Sequence, residues 1–134
     1  MIAAPQNDAR IIDSEVLLRR LPPLWVVAGD QGRMKISSAA FRHDELSIQF
    51  ESLLGQQGRP VEDALKGYPD NLLCSITAGL AHELGQGVVY DTEPPNDPAH
   101  GLVLGKKTKS VANRFAREAK WVIPSEAPPI PVRG

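Results

Sequence analysis

Leu46-Ser47-Ile48-Gln49-Phe50 alternates apolar and polar residues without a break. In an extended chain successive side chains point to opposite faces. This stretch therefore predicts a strand with Leu46, Ile48 and Phe50 in a core and Ser47 and Gln49 on a wetter face. Upstream of it, Leu24-Trp25-Val26-Val27 and Met34-Lys35-Ile36-Ser37 flank the turn residues Gly29-Asp30-Gln31-Gly32, which predicts a hairpin. Further upstream, Asp13 or Ser14 can cap a helix of at most two turns through Val16, Leu17, Leu18 and Leu21, stopped by Pro22-Pro23.

Downstream, Pro60 opens a short helix through Val61, Ala64 and Leu65 that ends at Gly67. Residues 72–84 fit both periods. The β-branched pair Ile76 and Thr77 ahead of Ala78-Gly79 favours a strand over 72–77 and a short helix over 79–84, closed by Gly85. Val88-Val89-Tyr90 and Leu102-Val103-Leu104 read as two more buried strands. Thr108 to Trp121 contains neither Gly nor Pro and sets Val111, Phe115 and Ala119 on one face, extending to Val122, which predicts the longest helix. The expected fold is α+β: a small mixed or antiparallel sheet with short helices and one longer C-terminal helix.

A chain of 134 residues with 42% hydrophobic and 23% charged side chains has the composition of one globular domain, which excludes collagen-like, coiled-coil and wholly disordered classes. Apolar runs stay far below the roughly 18 residues of a membrane span, so no membrane partner is expected. The first ten residues, MIAAPQNDAR, have neither a basic nor an apolar leader segment, and the single cysteine, Cys74, has no partner for a disulfide within the chain. A cytoplasmic setting is the expectation. Residues 1–9 lack periodicity and read as a disordered N-terminus. Residues 124–134, with prolines at 124, 128, 129 and 131, read as a flexible tail around a single domain at 10–123.

Charge is unevenly spread. Between Gly105 and Lys120 six basic residues face one acid, Glu118, whereas the rest of the chain is net acidic and the whole carries -1. Lys106, Lys107, Lys109, Arg114 and Arg117 thus form a candidate anion-binding set at the start and along one face of a helix. The run Gly101 to Thr108 is not a P-loop: three residues separate its glycines and a second lysine follows the first. Aromatic residues are only 5% of the chain, too few to stack bases along a strand of nucleic acid.

Asp91, Glu93, Asp97 and His100 share a proline-rich loop, but their spacing matches no metal motif, and neither metal nor cofactor is expected. His100 precedes a buried strand, a common place for an acid–base group. With Ser37, Ser38 and Ser47 it forms a candidate catalytic set, although no nucleophile elbow accompanies them. Cys74, among apolar neighbours and without a local cation, reads as an inert thiol.

Ser37-Ser38-Ala39-Ala40-Phe41, Leu46-Ser47-Ile48, Leu84-Gly85-Gln86-Gly87-Val88, Asp97-Pro98-Ala99-His100 with Gly105-Lys106-Lys107, and Ala119-Lys120-Trp121 together resemble a group of small bacterial proteins sharing an SSxAF and PAHxxVxG pattern over most of 16–123. The resemblance implies a bacterial, cytosolic, single-domain protein and carries no catalytic role. Three functional readings follow from the residues. One is an accessory protein acting by contact with a protein partner. The second is a small hydrolase or transferase using His100 with Ser37 and Ser38. The third is a phosphate, nucleic-acid or other polyanion binder using the basic helix.

Overall fold

In the computed structural model, which describes residues 4–131, the alternating stretch is a central strand of a sheet covered on both sides. Strands β1 (Val16–Leu21), β2 (Val26–Ala28), β3 (Met34–Ile36) and β4 (Glu45–Phe50) precede helix α1 (Glu51–Gln56). Then follow β5 (Leu72–Thr77), α2 (Ala78–Glu83), β6 (Gly87–Tyr90), β7 (His100–Leu104), α3 (Lys109–Glu118) and β8 (Lys120–Ile123). Six strands form one sheet in the order β6-β7-β4-β1-β5-β8, with every pairing antiparallel. The pair β2-β3 is a separate antiparallel hairpin. The fold is α+β, as the residue pattern predicts.

Alternation divides the core in two. Leu46, Ile48 and Phe50 of β4 join Leu17 and Leu21 of β1 and Cys74 and Ile76 of β5 on the main face, beneath α2, α3, the hairpin and the turn Ser38–Phe41. Leu18 and Leu73 face the other way and meet Leu54 of α1 and Ala64 of the turn Val61–Leu65. Gln49, expected on a wet face, is therefore buried, because α1 folds back directly from the end of β4.

Two of the expected helices differ. Residues 16–21 are a strand and not a helix. Leu17 and Leu18 are buried on opposite faces, and a strand covered on both sides loses the alternation that would distinguish it from a helix. The C-terminal helix stops at Glu118, with Thr108 Oγ1 capping it by accepting from Val111 N at 3.2 Å. Trp121 and Val122 belong to β8, which pairs with β5 through Cys74↔Trp121 and Ser75↔Lys120. No local breaker ends this helix, and the open edge of β5 captures the chain instead.

The ends are held by hydrogen bonds. Asp8 N donates to Val88 O at 2.9 Å and Val88 N to Asn7 Oδ1 at 2.9 Å, so residues read as a disordered N-terminus lie along β6. His82 joins Asn7 and Asp13 through its two ring nitrogens, at 3.1 and 2.7 Å. In the segment read as a flexible tail, Pro128 O accepts from Met34 N at 2.7 Å, and Ile130 N donates to Gly32 O at 2.9 Å. Arg33 Nη1 donates to Ala127 O at 3.1 Å. The disorder expected at 1–3 and 132–134 lies outside the described residues.

Phe50 lies over Gly101 of β7: a Cβ there would clash with Phe50 Cε2 and sit 2.8 Å from Val89 O. Phe50→Ala should cost about 3–5 kcal/mol in chemical denaturation, and Gly101→Ala about 1–3 kcal/mol by displacing the ring. A loss below about 1 kcal/mol for Phe50→Ala would contradict this packing. Truncation after Pro124 should leave the main sheet intact but accelerate hydrogen exchange at the Met34 amide, which loses its acceptor. Unchanged exchange at Met34 would show that the tail does not pair with the hairpin in solution.

Candidate functional site

The sheet positions one cleft on each side. On the main face, the hairpin β2-β3 stands away from α3 and β8, leaving an open cleft of about 780 Å³. Val27, Met34, Ile36, Ala116, Ala119 and Trp121 supply its apolar wall, and Asp30, Lys35, Ser37, Ser38, Asn113 and Arg117 its polar one. Ser37 caps the turn Ser38–Phe41, its hydroxyl accepting from Ala39 N at 3.1 Å. A depression lined by Lys109, Ser110, Asn113, Arg114 and Arg117 continues the cleft along α3, sharing Asn113 and Arg117 with it.

The five basic candidates separate. Lys106, Lys109 and Arg117 are exposed, and none makes an ion pair among the described residues. Arg114 is neutralised by Glu118, one helical turn on, and by Glu83 of α2, each at 2.5 Å. Lys107 is not at the surface at all. Its ammonium is buried and donates to three backbone carbonyls, Gly105 O at 2.9 Å, Val103 O at 3.0 Å and Asp44 O at 3.2 Å. Burial pushes its pKa down to about 8, with nearby Asp44 opposing the fall and Arg19 adding to it.

Ser37 and Ser38 do not meet His100. They border the main-face cleft, whereas His100 is on the opposite face, in register with Gln49. Ser47 does lie on the His100 side: both line a small cleft of about 20 Å³ with Arg20 and Gln49. His100 Nδ1 is 3.1 Å from Asp91 Oδ2 and 3.2 Å from Asp91 O. Both partners only accept, so Nδ1 carries a proton and orients the ring. Asp97 is engaged elsewhere, held by Arg59 at 2.8 and 2.9 Å and accepting from Ala99 N; these bonds keep its carboxyl below the usual carboxylate range. Among the described residues no three His, Cys, Asp or Glu side chains gather as metal ligands would. Cys74 is fully buried, and burial raises its pKa to about 12, so it is a poor nucleophile.

Sequence reasoning missed Arg19. Its side chain is only 8% exposed, its Nε donates to Ala40 O and its Nη1 to Ser47 O, both at 3.0 Å, and its guanidinium lies 5.0 Å from the Trp25 ring centroid. An arginine pair inside an apolar run was the available signal. The expected short helix would have placed that pair on a solvated surface.

No protein family, curated protein or solved structure gives a significant match to the chain. No helix among the described residues is long and apolar enough to cross a membrane.

The Lys107 geometry has a pH signature. The folded pKa lies below the ordinary 10.5, so between about pH 8 and 10.5 the unfolded chain binds more protons and stability rises with pH. The unfolding free energy of the wild type minus that of Lys107→Met should grow by roughly 2–3 kcal/mol across that window. Cys74 acts in the opposite direction at alkaline pH in both proteins and cancels in the difference. A flat difference would mean the ammonium is solvated.

Proposed function

We propose that this is a non-enzymatic interaction protein whose main-face cleft takes an acidic segment with an apolar anchor from a partner protein. The supporting observation is the pairing of surfaces in one cleft. Val27, Met34, Ala116 and Trp121 offer apolar contact area, and Lys35 and Arg117 outnumber the single acid of the lining, Asp30, with Lys109 along the same helix. Apolar burial supplies affinity in such a groove, and the flanking charge supplies orientation and encounter rate. The net acidity of the rest of the chain disfavours docking an acidic segment elsewhere on the molecule.

The polyanion reading keeps Lys106, Lys109 and Arg117, the cations of the set that remain exposed without an ion pair among the described residues. It requires no apolar anchor, which separates it from the first reading.

Synthetic peptides of five acidic residues, with and without one central Trp or Leu, should be titrated into ¹⁵N-labelled protein. The anchored peptide is expected to shift Ile36, Ala116 and the Trp121 indole, and Arg117→Glu with Lys35→Glu should weaken it by about tenfold or more. Heparin binding that matches or exceeds the anchored peptide, and that falls steeply with salt, would replace this reading by the polyanion one. Absence of any shift at Trp121 would overturn the cleft as the interface.

A further inference from the structure

The outer edge of β6 is covered by the chain that precedes β1, and one histidine holds that cover in place. β6 is an end strand of the sheet, so no further strand of the sheet pairs with its outer side. Asn7 and Asp8 take that place at Val88: Asp8 N donates to Val88 O and Val88 N to Asn7 Oδ1, both at 2.9 Å. The segment lies so close that a Cβ at Gly87 would clash with Gln6 O. His82, in the last turn of α2, closes the arrangement from the side. Its Nε2 is 3.1 Å from Asn7 Oδ1 and its Nδ1 is 2.7 Å from Asp13 Oδ1.

These partners dictate the charge of the ring. The Asp13 carboxylate only accepts. The Asn7 oxygen is identified by the Val88 N–H that it accepts, because turning the amide over would set two donors against each other. Both ring nitrogens must therefore donate, which only the imidazolium does, and the C-terminal end of α2 favours a cation. The other charges around it are spoken for. Arg10 binds Asp8 at 2.6 Å and holds its carboxyl down to about 2, and Arg10 also lies 5.3 Å from the Tyr90 ring centroid. Glu83, next on α2, is paired with Arg114 of α3, and Glu15 meets the far end of α2 through its backbone. Histidine is the side chain that ordinarily changes charge between about pH 5 and 8. A neutral ring keeps one proton, which the Asp13 carboxylate holds more strongly than a neutral amide oxygen, so Nε2 then turns a lone pair on Asn7 Oδ1. Docking of the segment favours the protonated ring; it is therefore firmest at the acid end of this range and weakens as pH rises through it. We infer that His82 is a pH-responsive latch: protonated, it holds Gln6–Asp8 over the outer edge of β6, and deprotonated it lets that segment lift and uncovers Val88. A bare strand edge is a template for pairing with another chain, so the latch decides when this edge is available.

Amide hydrogen exchange of the full-length ¹⁵N-labelled protein, corrected for the intrinsic effect of pH, should be compared at about pH 5.5 and about pH 8.5. Protection of the Asp8 and Val88 amides is expected to fall by about fivefold between the two, as one hydrogen bond of the segment is lost, while the amides of β1 at the middle of the sheet hold constant. In His82→Gln the difference between the two pH values should vanish. In Asn7→Ala, which removes the shared acceptor, both amides should be poorly protected at either pH. Protection of β1 also shows that each variant is folded. Equal protection of Asp8 and Val88 at both pH values in the wild type would overturn the latch. A pH dependence that survives in folded His82→Gln would overturn it too, by assigning the effect to another group.

Discussion

The buried guanidinium of Arg19 is the constraint on which the other contacts rest. It sits in β1, at the middle of the six-stranded sheet, and bridges Ser47 O of β4 to Ala40 O of the turn that covers the main face. Pairing of β1 with β4 is confined to Leu17↔Phe50 and Leu18↔Gln49, and beyond those pairs the arginine takes up the strand's carbonyl. A cation with no carboxylate partner is costly to bury, and burial holds its pKa down to about 10. Two carbonyl bonds and the Trp25 ring offset that cost only if the turn Ser38–Phe41 stays in place. That turn presents Phe41 to Phe115 of α3, with ring centroids 5.5 Å apart. One side chain thereby ties sheet, turn and helix together.

Lys107 repeats the device at the other end of α3. Three carbonyls from the end of β7, its following turn and the residue before β4 surround its ammonium, and Lys107 N donates to Asp44 Oδ1. Both ends of the cover over the main face are therefore fixed by cations that act on backbone oxygen. The cleft between hairpin and α3 has a rigid wall on the helix side. Its hairpin wall is held by the Ser37 N to Trp25 O bond and by the segment 127–130.

How much of this the sequence discloses depends on whether a residue's environment is local. The strand at 46–50, the hairpin, the strand–helix switch at 72–84 and the Gly85 stop are all legible, because alternation, β-branching and glycine at positive φ are properties of neighbouring residues. Residues 16–21 are misread because burial on both faces erases alternation. Trp121 and Val122 are misread because the partner that ends the helix, β5, lies some 45 residues upstream. The candidate sites fare similarly. The Ser37–His100 grouping fails because proximity across a sheet depends on which face each strand presents. Ser47 joins His100 because β4 and β7 are paired two positions out of register with those residues. The expected basic surface is thinned by Lys107 and Arg114, whose partners are carbonyls and carboxylates from distant elements.

This redistribution of charge changes what the main-face cleft can do. Counting residues along the chain suggests a strong positive field, but two of the six cations between Gly105 and Lys120 are neutralised or internal, and Lys120 projects from the same face as Ser75, away from the cleft. Lys35, Lys109 and Arg117 remain to act there against Asp30 of the same lining, screened beyond about 8–10 Å at physiological ionic strength. Three exposed charges steer and orient a partner but contribute little to holding it. Retention must come from apolar area, which this cleft supplies through Val27, Met34, Ala116 and Trp121. A ligand with charge and no anchor would use half of the surface, and for that reason the geometry favours a folded or extended protein segment over a simple polyanion.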